Sequence, residues 1–345
     1  MTTESPPSSR SPESYARMAT PLLRSAWLLY AATIVSTIAV VLGGIIAPGV
    51  RGVASDKVVS FWQTSSATFV NASGLLLIGL LVLGIFEFLV DTRVSPAAKG
   101  AILFGSAGVV MVAALSFVYQ MAPAISVLLV GAVALVACVS GSLALRATHT
   151  RAGGLILVLL AVSGLLRLVA WRIAVAGATE PGTYDVARGF ETAAVVFEGF
   201  AQAGTVVWVG MRGRWVGQLT TPLALAGAFF LVWSAGQGRA DGAPQWKMAL
   251  WGALGWLPPP EPYAISTLSV FFGVSAPLLA LAALIAVRGQ GAISAAVALA
   301  ILSRGAVDVP LRGLLLCAAS IWMVLAMVDD RAMWRGLVEE KKKPT

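Results

Sequence analysis

Long apolar runs, each near the length that crosses a bilayer, recur along this chain with short polar connections between them. The first extends from Ser25 to about Ala47, and others follow at 69–90, 100–120, 123–145, 153–175, 188–211, 219–236, 265–287, 291–309 and 313–328. A helix needs about 20 apolar residues to cross a hydrocarbon core. The pattern therefore predicts an all-α polytopic membrane protein of about ten transmembrane helices. The runs are continuous and do not alternate, which argues against a barrel of short strands. The weakest members are 219–236, 291–309 and 313–328, which are short for a span.

The flanks read differently. Residues 1–22, rich in Ser, Pro and Thr, are expected to form a disordered cytoplasmic tail, 23–330 the transmembrane helical domain, and 331–345 a basic cytoplasmic tail. The first apolar run exceeds the ~7–15-residue core of a signal peptide, so it is expected to remain as a span. With ten spans and the N-terminus inside, 15 of the 24 Lys and Arg fall in inside segments and seven in outside ones, with Arg167 and Arg304 left within spans. Basic residues of short loops stay cytoplasmic. Both termini are accordingly expected inside, in a cytoplasmic (inner) membrane.

Two outer connections are longer than turns. Pro48 to Thr68, with Asp56, Lys57, Phe61 and Trp62, is expected to be an interfacial loop. Gln237 to Tyr263 contains a stretch from Trp246 to Leu257 with Trp246, Leu250, Ala253, Leu254 and Leu257 on one helical face, read as a short interfacial helix, and then a stiff Pro258–Pro262 segment. An echo joins the two halves of the chain. Thirteen residues separate Gly154 from Arg167 and thirteen separate Gly291 from Arg304, while Arg188-Gly189 and Arg312-Gly313 open the following span in each case. A weak four-helix repeat, spans 3–6 and 7–10, is the architecture this suggests.

The run from Arg188 to Arg212 is apolar yet carries carboxylates. At 100° per residue, Glu191, Glu198, Gln202 and Thr205 fall within roughly 60° of one another, forming one polar stripe. Phe190, Phe197, Phe200, Val207 and Trp208 lie mostly on the other side, and Ala194 and Ala201 sit beside the stripe where a helix could approach. A carboxylate at the bilayer centre costs at least about 2.5–3.5 kcal/mol, so Glu198 must face protein or water. Arg167 lies about 20 Å along the preceding span, at a depth between those of Glu191 and Glu198. A pair between Arg167 and one of these carboxylates is the first expected contact, while Arg172, nearer the surface, is expected to snorkel. Arg304 and Asp308, one turn apart in the 291–309 run, form a second polar pair.

Composition narrows the chemistry. The chain is 58% hydrophobic and 12% charged, far below the ~25% charged of ordinary soluble domains. The formal charge of +8 is spread through connections and tails, so membrane topology accounts for it and no nucleic-acid partner is expected. One histidine, His149, and two cysteines, Cys138 and Cys317, are too few for a bis-histidine haem, a four-thiolate cluster or a multi-Cys/His zinc site; no cofactor is expected. Glu87 and Asp91 read as solvated heads at a span end, and Gly105 to Gly108 (GSAG) as helix-packing small residues.

Three functional classes stay open. The leading one is a small-solute transporter or permease with an outward-facing intramembrane polar site, proton-coupled through Glu198 and Glu191, with Gln202, Thr205, Arg167, Arg304 and Asp308 on the pathway. The others are a non-catalytic membrane subunit of a larger complex that holds a lipid or quinone, and a membrane-embedded enzyme acting on a lipid-linked substrate with Asp56, Glu191 or Asp308 as base. A buried Arg–Glu pair can also simply lock two helices in register.

Overall fold

In a computed structural model, the residues described are 28–46, 55–90, 123–146, 148–176, 182–212, 264–286, 291–306 and 309–329, with a few isolated positions in 100–108 and 215–226. Eight helices make up these segments. Helix α1, Leu28–Val41, runs into a π turn, Leu42–Ile46. It is followed by α2 (Asp56–Val90), α3 (Pro123–Ala144), α4 (Arg151–Ala176), α5 (Thr183–Arg212), α6 (Ala264–Ala286), α7 (Gly291–Gly305) and α8 (Val309–Asp329).

The ten-span architecture expected from hydropathy is not what the described residues form. Three helices, Asp56–Phe86, Arg151–Ala174 and Asp185–Met211, are long and apolar enough to cross a membrane. In the other five helices the described apolar stretches run 10–17 residues: Leu28–Val41, Gly131–Ala144, Phe271–Leu284, Ile293–Gly305 and Leu311–Met327. The physical reason shows in α7, where every residue from Ile293 to Ala306 is buried. A helix enclosed on all sides by protein must be apolar all round, as a lipid-spanning one is, so hydropathy alone does not separate the two. With 15 residues, α7 is only about 22 Å long. The proposed four-helix repeat rests on that count and falls with it.

The expected loop from Pro48 to Thr68 is also corrected, because α2 is continuous from Asp56 through 35 residues. Its Ser, Thr and Gln suggested a loop, but no residue from Ser55 to Ala72 is buried, so polar side chains are tolerated on an exposed helix. At about 52 Å, α2 exceeds the ~30 Å hydrocarbon core by several turns. The bulk of 100–120 and 219–236, the Trp246–Leu257 stretch, Pro258–Pro262, Asp91, Asp308 and both tails lie outside the described residues, as does the side chain of Glu87.

Packing is organised around α7 and α8. Helix α7 lies against α4, α6 and α8, while α8 also contacts α2 and α3; α4 packs most extensively on α5, and α6 on the other flank of α5. Helices α3 and α4 approach closely at two glycines. A Cβ on Gly154 would stand 2.7 Å from the Gly141 carbonyl oxygen, and one on Gly141 would stand 2.8 Å from that of Gly154. Such small-residue contacts let backbones meet where lipid supplies no hydrophobic drive for association. Elsewhere Ser36 of α1 and Ser73 of α2 share a buried hydroxyl–hydroxyl hydrogen bond of 2.6 Å.

The outside of α5 is apolar and its inside polar. Glu191, Glu198, Gln202 and Thr205 are 7%, 2%, 4% and 0% exposed, whereas Phe200, Val207 and Met211 are 62%, 58% and 81% exposed. This reversal of a water-soluble helix is what a lipid surround selects. Trp208, expected on the outer side, is buried. Gly154→Ala should destabilise the folded protein by about 1–3 kcal/mol, because its new methyl meets backbone. Gly79→Ala, where nothing lies within 4 Å of the added Cβ, should not. The melting temperatures of the two detergent-solubilised variants check this.

Candidate functional site: a buried arginine–glutamate network

The network starts from two neighbouring helices. Arg167 is sixteen residues into α4 and Glu198 fifteen into α5, so both lie more than 20 Å from where their helices begin. Ser163 stands one turn before Arg167, and Glu191 two turns before Glu198, so each helix presents its polar groups on one face. The extensive α4–α5 contact brings the faces together.

Arg167 meets both carboxylates. Its Nε donates to Glu198 Oε1 at 2.9 Å and its Nη2 to Glu198 Oε2 at 2.8 Å, a bidentate fork, while Nη1 donates to Glu191 Oε1. Ser163 donates to Glu198 Oε1 at 2.9 Å. A third helix contributes Arg304, whose Nε forms an ion pair with Glu198 Oε2 at 2.8 Å. Glu198 is thus clasped by two guanidiniums and a hydroxyl, each from a buried side chain. Charged groups removed from water are tolerable only when paired and hydrogen-bonded in this way. Glu191 is held less completely: its Oε2 is buried and has no hydrogen-bond partner among the described residues.

The rest of the stripe divides. Gln202 reaches α6, donating from Nε2 to the Phe272 carbonyl at 2.8 Å and accepting from Ser275 at 2.8 Å. Thr205 turns back on its own helix and donates to the Ala201 carbonyl. Of the expected pathway residues, Arg167, Glu191, Glu198 and Arg304 are brought together, and Gln202 and Thr205 serve other contacts. Asp308 lies outside the described residues, and Arg304, at the end of α7, is linked to Glu198 of α5.

Where α7 stops, α8 supplies a cap. Arg312 donates to the Ala306 carbonyl from Nη2 at 2.7 Å and from Nε at 3.2 Å, satisfying an oxygen exposed by the end of the helix. Beside this junction is a cavity of about 50 Å³ lined by Ser163, Arg167, Glu198, Ser303, Arg304 and Arg312, with apolar walls from Val133, Ala134, Leu160 and Leu316. A volume of that size has room for a few water molecules. Ser163, Ser303 and Arg312 are the residues that sequence reasoning missed. Ser163 is signalled by its place one turn before Arg167 and Ser303 by adjacency to Arg304, whereas Arg312 reads from the sequence only as the opening of a span.

Of the bases considered for a lipid-linked substrate, Asp56 is exposed at the start of α2 and Glu191 is paired with Arg167 in the core. Among the described residues no group of three His, Cys, Asp or Glu is placed to hold a metal ion. Fold and site define a multi-pass helical membrane protein with an ionic network buried inside its helix bundle. The chain matches no protein-family model, no curated protein and no solved structure.

Replacing Arg167 by Met should cost about 3–5 kcal/mol, since it leaves buried carboxylates short of a partner. Adding Glu191→Gln to that variant should restore part of the loss, with a coupling of about 0.5–3 kcal/mol for groups in direct contact. Arg167→Lys should rescue poorly, because an ammonium cannot fork across Glu198 and reach Glu191 together. Unfolding in detergent of the wild type, Arg167→Met, Glu191→Gln, the double variant and Arg167→Lys reads all three effects.

Proposed function

We propose that this protein is a small-solute transporter or permease of a cytoplasmic (inner) membrane, with the Arg167–Glu191–Glu198–Arg304 network on the solute path and its carboxylates coupling movement to protons. The observation that carries this reading is the small cavity beside the α7–α8 junction, bordered by Arg167, Glu198, Arg304 and Arg312. Interrupted helices whose ends lie inside a bundle supply charged side chains, carbonyls and amide groups to a bound solute, which continuous helices keep for themselves. A purely structural lock has no need of a water-sized space next to its charges.

Within this reading the two carboxylates have different tasks. Glu198, clasped by Arg167, Arg304 and Ser163, is the fixed anchor. Glu191 has one oxygen on Arg167 and another with no hydrogen-bond partner among the described residues, so it is the group free to exchange a proton as the Arg167 contact opens. Full pairing of Glu198 favours the second reading, a non-catalytic subunit whose network only fixes helix register, with a lipid or quinone and further subunits as its partners.

Purified full-length protein in proteoliposomes, offered a panel of small anionic, neutral and cationic solutes with a trapped pH dye, separates the two. Solute-dependent flux above protein-free vesicles is expected, and Glu191→Gln should lower the accompanying proton movement on the order of tenfold or more, as loss of a relay carboxylate does. Absence of flux across the panel, together with stable co-purifying subunits, would support the structural reading instead.

A further inference from the structure

Helix α6 carries a proline in its interior, Pro277. A proline has no N–H to give, so the Gly273 carbonyl, four positions earlier, lacks its helical donor and the turn between them is one bond short. The helix nevertheless runs from Ala264 to Ala286, and its neighbours grip it at that turn. From α5, Gln202 donates through Nε2 to the Phe272 carbonyl at 2.8 Å and accepts the Ser275 hydroxyl on Oε1 at 2.8 Å. Gly199, one turn before Gln202, leaves room for the Phe272 ring, which comes within 3.1 Å of where a Cβ would stand. From α7, Gly305 lies against the same turn, since a Cβ there would stand 3.2 Å from the Gly273 oxygen and 3.3 Å from the Ala276 methyl. Burial changes at this point along the helix. Leu268, one turn before Phe272, is 47% exposed, whereas Leu279, Ala280 and Ala283, after the proline, are set in the core.

We infer that the 272–276 turn of α6 is a hinge and that Gln202 is the latch holding it shut against α5. When the latch releases, 264–271 swings away from α5 about the proline, while 278–286 stays packed. The fastening suits that task, because two neutral hydrogen bonds break and re-form more readily than the charge-assisted ones beside them. Glu198 stands one turn before Gln202 on α5, and Arg304 directly precedes Gly305 on α7, so the Arg304–Glu198 ion pair fixes the two helices between which the turn is held. The hinge gives Gln202, a member of the polar stripe outside the ionic network, a task of its own. It goes beyond the transport reading and stands whether or not a solute moves.

The experiment measures the distances between spin labels at Leu268→Cys on α6 and Leu135→Cys on α3, both exposed positions, in full-length protein that also carries Cys138→Ser and Cys317→Ala, reconstituted in lipid nanodiscs. One dominant distance is expected for this parent. Gln202→Leu should raise the population of a second distance about tenfold, through loss of the latch bonds. The Phe272 carbonyl keeps a side-chain donor in that variant, because the Ser275 hydroxyl lies 3.2 Å from it. Ser275→Ala, the milder change, should raise the second population about threefold and reads the same effect if Gln202→Leu does not fold. Adding Pro277→Ala to either latch variant should return the single distance, since the new N–H bonds to the Gly273 carbonyl and closes the hinge; a general loosening of the bundle does not reverse in this way. An unchanged single distance in the latch variants would overturn the inference, and so would a second population that Pro277→Ala leaves undiminished.

Discussion

Everything in the centre of this molecule depends on keeping Glu198 ionically satisfied. A carboxylate more than 20 Å along an apolar helix has no water to solvate it, so the fold must supply the solvation. It does so from three directions: a bidentate fork from Arg167, a hydroxyl from Ser163 and an ion pair from Arg304. The first two come from α4, the natural neighbour of α5 across a short connection. The third requires α7 to pass through the middle of the bundle and to end where its arginine can turn toward α5.

That requirement accounts for the enclosure of α7. A 15-residue helix whose residues from Ile293 to Ala306 are all buried gains little from lipid and is held by packing on α4, α6 and α8. Ending inside the bundle exposes carbonyls that water would normally satisfy. Arg312 from the next helix takes up one of them, at Ala306. The result concentrates three arginines around a small space, so the packing solution for one buried carboxylate also leaves a small cavity bordered by charged side chains.

The polar stripe of α5 shows how far a period carries an argument. Glu191, Glu198, Gln202 and Thr205 are all buried, as their common face demands, and Phe200 and Val207 are outward. The partners within that face were not implied by the period. Gln202 is drawn to α6 and Thr205 to its own backbone, because each polar atom takes the nearest available donor or acceptor. Trp208 left the expected lipid side because it lies at the edge of the stripe, where a large ring is covered by a neighbouring helix.

The amino-acid sequence by itself determined that the chain is helical and membrane-embedded, that Glu198 and Arg167 lie within spans, and that these charges must find partners inside the protein. Those conclusions follow from backbone satisfaction, apolar length and helical period, which act locally. Only the tertiary structure decided that Arg167 takes both carboxylates, that Arg304 joins them, and that Arg312 closes the end of α7. It also decided that, among the described residues, three helices are long and apolar enough to span, and that the polar residues after Asp56 continue a helix. The reason is the same in each case: hydropathy reports that a segment avoids water, and only packing decides whether lipid or protein takes water's place.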